Sequence, residues 1–412
     1  MVAIDRDRQA QKSTNRGSNQ IAVRSYNERL ILHLVRHHGN LTKSEAARAT
    51  GLSANAVSVI FRALEEEGFV IREAPLRGRI GQPSTPVRLN PEARHYIGLK
   101  IGRRSADLVL IDFVGEMLSS ASLAYRYPEP AGIQAFVKTG IRQILKETRI
   151  TRKRVHGFGV AMPFEIWSWA DETGFPKDVM EEWRNVDLAA LLSKIVPWPI
   201  SSANDGTAAC VAEQTFAARG GGDGGDAKRE DVQDSIYLFV GSMIGGGVVL
   251  NGSVFFGRSG KAGGFGPLRV PVGAPGANRL IDHASLYVLE RMLRDAGGGA
   301  ADILSDPGLW TTHGGIVERW LDLAAPAIAH AIASSLSIID FEAVVIDGSF
   351  PKDIRTALVA KVRNAFSEMD LQGLPTPSIQ AGHFGAIARA VGAAALPLNE
   401  SYSINQNTLL RH

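Results

Sequence analysis

A single cysteine, Cys210, stands in 412 residues, which excludes a disulfide within the chain and any zinc site built from several cysteines. Long apolar runs are also missing. None reaches the roughly 18 residues that a membrane-spanning helix needs, and residues 1–20 are polar and charged where a secretory leader would be apolar. These absences fit a reducing, cytoplasmic setting with no membrane partner. Neither sign of charge dominates, because 45 Lys and Arg meet 42 Asp and Glu for a net +3. What is abundant is apolar content, at 45%, and glycine, at 43 residues, over a length that suits two or three domains. Such a chain can bury a large core and reads as a mixed α/β protein.

The charge is unevenly placed. Residues 1–95 hold 15 Lys and Arg against 9 Asp and Glu, a net +6, which leaves −3 for the remainder. A basic head on a slightly acidic body is what a DNA-binding module attached to a second domain would show. Local patterns agree. Ser25 and Glu28 are spaced as a capping box before "RLILHLVRHHG", predicting a helix of about ten residues with an apolar stripe of Leu30, Ile31 and Leu34 and a stop at Gly39. Thr42 and Glu45 form a second box before a short helix closed by Gly51. Ser53 then caps a third helix with Val57, Ile60, Phe61 and Leu64 on one stripe.

Two short helices joined by a glycine turn make a helix-turn-helix. Opposite its buried stripe the third helix offers Asn55, Ser58 and Arg62 to base edges and phosphates, with Ser53 at its cap and Ala54 and Ala56 small enough for close approach. A strand at 69–72, a Pro/Gly/Arg-rich loop and a returning strand at 87–89 then read as a β-wing. The wing tip carries Arg77, Arg79 and Gln82, suited to the negative potential and degenerate edges of a minor groove.

From Tyr96 onward the pattern changes. "GLKIGRRSADLVLID" is a strand, a glycine turn and a second strand; "SSASLAYRYP" is a third strand, followed by the helix "IQAFVKTGIRQILKE" and the buried strand "VHGFGVAMP". A short strand leads to Asn204 and Asp205 and a helix of small residues, and "GGGDGGDAKREDVQD" reads as an exposed loop. A second glycine-turn hairpin, "SIYLFVGSMIGGGVVLNGSVFFG", repeats the first, which implies an internally duplicated, two-lobed fold with a ligand cleft.

These residues carry a resemblance. In the order winged helix, "GQPS", "YIGLKIG", "GVAMP", "ANDGTAACVAE", "VGSMIGGGVVLNGSVFFGRSGKAGGFG" and "VVIDGS", the chain resembles the ROK family (repressors, open reading frames and sugar kinases) over nearly its full length. It is most similar to the branch of N-acetylglucosamine- and xylose-responsive repressors. The resemblance implies a winged helix-turn-helix followed by an actin-like, sugar-kinase-type (ribonuclease H-like) domain, a sugar or sugar-derived ligand, and a homodimer or homotetramer on operator double-stranded DNA. The implied divisions are an arm at 1–20, the DNA-binding domain at 21–92, lobes at 93–205 and 206–384, and a C-terminal helix with a polar tail at 385–412.

Position by position, the resemblance does not extend to the catalytic set. Where the kinases of the family hold magnesium and phosphate with an aspartate, Lys100 stands here, and an ammonium cannot ligate a divalent cation. The family's Gly-Glu-x-Gly-His motif reads "GGFGP", with Gly264 and Pro267 in place of Glu and His; its zinc-binding cysteines are absent, and Ile281 replaces a sugar-contacting glutamate. Asn204 and Asp205 match the sugar-holding asparagine and the general base. An Asn-Asp pair also serves as a turn or helix cap, but within the matching flanks a retained ligand contact is expected, with His283 as a substitute polar contact or a side chain that packs or faces solvent. Lys100, Arg103 and Arg104 either attract an anionic ligand or sit in a solvated turn. The expectation is therefore a sugar-responsive transcriptional regulator, a repressor, with no catalytic residues, no metal and no cofactor. The alternative is a sugar kinase with an appended DNA-binding head.

Overall fold

The structure, a computed structural model, describes residues 23–75, 85–169, 176–217, 232–272, 278–297, 303, 306 and 308–404. By internal contacts the chain forms two compact units: one of Met1–Arg94, Asp112–Glu116 and Leu398–His412, the other of His95–Ile111 and Met117–Pro397. Among the described residues no helix is long and apolar enough to cross a membrane.

In the first unit, helix α1 is already helical at residue 23 and runs to 38. The expected cap at Ser25 is therefore wrong. Ser25 lies inside the helix, and Glu28 accepts a hydrogen bond from Arg24 Nε at 2.9 Å, an i,i+4 pair, in place of closing a box. The buried stripe of α1 is Ile31, Leu32 and Val35, one residue displaced from the expected one.

Helix α2 (Lys43–Thr50) starts at the expected box: the Glu45 amide donates to Thr42 Oγ1 at 3.3 Å and the Thr42 amide to Glu45 Oε2 at 3.0 Å. It ends at Gly51 with φ +68°, a left-handed conformation that favours glycine. Helix α3 (Ala54–Glu66) is capped by Ser53, whose Oγ accepts from the Ala56 amide at 3.2 Å, and buries Val57, Ile60, Phe61 and Leu64. Strands β2 (Val70–Arg72) and β3 (Val87–Leu89) form the antiparallel wing, and β1 (Asn40–Leu41), unforeseen from sequence, adds to β3 to give the order β1-β3-β2. Phe69, Phe113 and Tyr402 stack edge-on or tilted at centroid distances of 5.2–5.6 Å, so the short segment at 112–116 and the last helical turn complete this unit's core.

The second unit contains the duplication. Strands β4 (His95–Ile101), β5 (Ser105–Ile111), β6 (Met117–Ala124), β7 (Val155–Ala161) and β8 (Ile200–Ala203) form a mixed sheet ordered β6-β5-β4-β7-β8. Strands β9 (Ser235–Val240), β10 (Ile244–Leu250), β11 (Ser253–Phe255), β12 (Ala343–Gly348) and β13 (Ser378–Ala381) are ordered β11-β10-β9-β12-β13. Each sheet thus has its third strand at one edge, an antiparallel hairpin beside it and two parallel strands after it. Helix α4 (Pro130–Thr148) covers the first sheet with Ile133, Val137, Ile141 and Ile144, while α6 (Leu286–Asp295), α7 (Gly314–Leu336) and α8 (Lys352–Ser367) cover the second.

Helix α5 (Asp205–Phe216) and helix α9 (Ala388–Tyr402) are packed through small residues, among them Ala208, Ala393 and Ala395. Glycine is required where α9 meets β7, because a Cβ on Gly159 would overlap the Ala393 carbonyl oxygen. Gly159→Ala is expected to destabilise this unit by about 3 kcal/mol, since helix or strand must shift. Gly245→Ala, whose Cβ would meet nothing within 4 Å, serves as the control in parallel thermal melts.

Candidate functional site

Two groups of residues can carry function, one in each unit. In the first, the cap and outer face of α3 present exposed Ser53, Asn55 and Arg62, as the sequence led one to expect. Ala56 and Ser58 are only half-buried. An exposed valine on the helix, Val59 at 56%, was overlooked. It stands one turn after Asn55 and just before Arg62, so the face reads Asn, Val, Arg. Arg77, Arg79 and Gln82 lie outside the described residues. This face can place an amide, a methyl-bearing side chain and a guanidinium against base edges and phosphates.

The second group surrounds the first hairpin turn and the start of α5. Asn204 is the N-cap of α5, and its Oδ1 accepts from the Gly206 amide at 3.1 Å, so the capping role raised from sequence is real. Asp205 receives the same amide on Oδ1 at 3.0 Å and turns Oδ2 to Arg389 Nη1 at 3.2 Å. Arg389 comes from α9. Its Nη2 donates to Ser349 Oγ at 3.1 Å and its guanidinium lies 4.8 Å from the centroid of the Phe239 ring. His283 is buried at 6% exposure in the short helical turn Ile281–Ala284, a packed position.

Lys100, at 6% exposure, donates to Ser105 Oγ at 2.8 Å, to the Ser105 carbonyl at 3.2 Å and to Asp107 Oδ2 at 2.9 Å. Asp107 faces it directly across the hairpin register. Burial, and then the like charge of Arg389, push the Lys100 ammonium below its ordinary pKa; Asp107 opposes them. For Asp107 burial acts upward, but the Lys100 charge and the hydrogen bonds from Lys100 and Ser122 outweigh it and leave the carboxyl below the usual carboxylate value. A carboxyl lowered on folding stabilises above its unfolded pKa, and that contribution fades as acid titrates it.

The turn itself, Gly102 to Arg104, is closed by a carboxylate from the other lobe. Arg103 Nη2 donates to Glu290 Oε2 at 2.5 Å and Arg104 Nη2 to the same oxygen at 3.3 Å. The two arginines are thus committed to a protein carboxylate, so the open anion site considered from sequence is already filled. Sequence reasoning missed Arg389 and Glu290, which lie 184 and 187 residues from their partners. It could have found Asp107, because counting outward from the glycine turn puts it opposite Lys100.

Residues 96–278 match the ROK family and residues 24–71 match the winged helix-turn-helix DNA-binding family. The DNA-binding transcriptional dual regulator NagC of Escherichia coli is 23% identical over 61% of this chain and 59% of its own length, so the match spans about three-fifths of NagC. A crystal structure of a ROK family transcriptional regulator, a homologue of the Escherichia coli Mlc protein, superposes with TM-score 0.64 at 17% identity, covering 95% of this chain and all of that one. A ROK family glucokinase from Streptomyces griseus, in complex with glucose and AMPPNP, superposes with TM-score 0.56 at 20% identity over 73% of this chain and 98% of its own. Both structural likenesses concern the fold.

Proposed function

Since a ROK-family domain follows a winged helix-turn-helix in this chain, we propose that the protein is a DNA-binding transcriptional regulator, a repressor of the cytoplasm whose operator affinity is set by a sugar or sugar-derived effector. The observation that carries this reading is the polar, exposed face of α3, with Asn55 and Arg62 beside Val59, on a helix whose cap and core are complete. The effector would sit at Asn204 and Asp205, whose carboxylate can hold sugar hydroxyls without chemistry. Two winged helices in a dimer or tetramer would read paired half-sites. An effector that prefers one lobe arrangement, with a coupling of about 1–3 kcal/mol, would change operator affinity roughly 5- to 150-fold.

The kinase reading fares worse on chemistry. Phosphoryl transfer needs a carboxylate to hold magnesium beside the phosphates. At that place stands buried Lys100, tied to Asp107, and Asp205 is tied to Arg389. The residues present do not fit a magnesium-nucleotide.

The test begins with selection of duplexes from a random library by the full chain, followed by titration in rising salt. Binding that falls steeply with salt, as expected for several phosphate contacts, and release of the selected duplex by one member of a sugar panel support the reading. Sugar-dependent ATP turnover that Asp205→Asn abolishes would overturn it in favour of a kinase.

A further inference from the structure

We propose that the β4–β5 turn is an anion site whose anion is built into the chain, Glu290, and that this pair latches one lobe of the ROK-family domain to the other. The latch does not rest on the DNA-binding reading above. Arg103 and Glu290 are 8% and 6% exposed at their side chains and lie on different lobes, one in the turn of the first sheet and the other on α6 of the second. Helix α6, which carries Glu290, otherwise supplies Leu286, Val288, Leu289 and Leu293 to the second lobe's core. A carboxylate set among these groups has one function visible in the structure, which is to meet the arginine turn. The same helix places the Tyr287 ring 5.5 Å from the Arg103 guanidinium, a second contact of the same hand.

The pair is not saturated. Arg103 Nε and Glu290 Oε1 are buried without a hydrogen-bond partner. A buried pair of this kind gains little over apolar residues of the same size, yet stranding either charge is costly. It therefore adds selectivity for one arrangement more than stability. Rotation of the lobes by a few ångströms would separate Nη2 from Oε2 and leave two buried charges exposed to each other's absence, so the intermediate positions are disfavoured and the domain behaves as latched or open. Glu290 also takes the place at the glycine turn that a ligand phosphate could otherwise occupy.

Four variants of the full chain test this: Glu290→Ala, Glu290→Gln, Arg103→Met and the exchange Arg103→Glu with Glu290→Arg. Melting is followed in sodium formate and in sodium chloride at equal ionic strength. Glu290→Ala and Arg103→Met are expected to melt about 6 °C or more below the wild type. Formate should recover most of the loss in Glu290→Ala, where it can enter between Arg103 and Arg104, and none in Arg103→Met, while the exchange variant should regain most of it. In Glu290→Gln, amide exchange should quicken together in residues 98–112 and 286–295. Variants that melt within about 1 °C of the wild type, or losses that neither formate nor the exchange reduces, would overturn the latch. Wild-type operator binding is measured on the same preparations. Its absence would tell against the DNA-binding reading, whereas unchanged melting tells against the latch.

Discussion

Asp347→Ala is expected to lower the melting temperature of the second unit by about 10 °C, from a loss of about 3–5 kcal/mol. Asp347 is fully buried at the end of β12, where its carboxylate receives Arg355 Nη1 at 2.7 Å, the Gly348 amide at 2.9 Å and the Gly385 amide at 2.9 Å. The Tyr237 hydroxyl donates to it at 3.1 Å, and burial, with the Asp347 charge next, pushes that phenol well above its ordinary pKa. Alanine would leave a guanidinium that is 9% exposed without its counter-charge and several donors without an acceptor. The double variant Asp347→Ala with Arg355→Met should recover part of the loss, because the stranded charge goes too. Melting curves of the three variants measure the coupling; a single-variant shift of less than about 2 °C would mean that the network is not a stabilising centre.

Asn55→Ala and Arg62→Ala are each expected to weaken operator binding roughly 5- to 150-fold, the range for losing a base contact worth about 1–3 kcal/mol. The melting temperature should stay near that of the wild type, since both side chains are exposed and neither supports the α3 core. Gel-shift titration on the selected duplex distinguishes their roles. A base-reading residue loses affinity for that duplex more than for random DNA, whereas a phosphate contact weakens both alike and reduces the salt slope. Equal wild-type affinity for either variant would remove that residue from the interface.

Much of the head was legible because its signals are local. Thr42 with Glu45, and Ser53 ahead of Ala56, satisfy helix-end amides within three residues, so spacing alone identifies them. The same spacing misleads at Ser25 and Glu28, where Arg24 draws the glutamate into an i,i+4 pair and the helix begins earlier. Val59 escaped notice for another reason. Apolar residues are assigned to cores by habit, and only the packing of Val57 and Ile60 on the opposite side shows that Val59 faces outward.

Around the first hairpin turn and the start of α5, the chemistry of single residues was legible and their partners were not. That Lys100 replaces a metal-holding carboxylate follows from the resemblance; that it is neutralised by Asp107 follows from the hairpin register. Asp205 with Arg389 and Arg103 with Glu290 join residues more than 180 positions apart. No periodicity or cap signal links such pairs.

The sequence alone therefore determined the module order, the caps of α2 and α3 and the two glycine-turn hairpins, because each is signalled by residues within a few positions of one another. Only the tertiary structure decided which charges cancel, why Gly159 cannot carry a Cβ against α9, and which carboxylate closes the arginine turn. The reason is physical: burial and ion pairing depend on distances in space between segments that the chain separates, and these exist only once both lobes have folded.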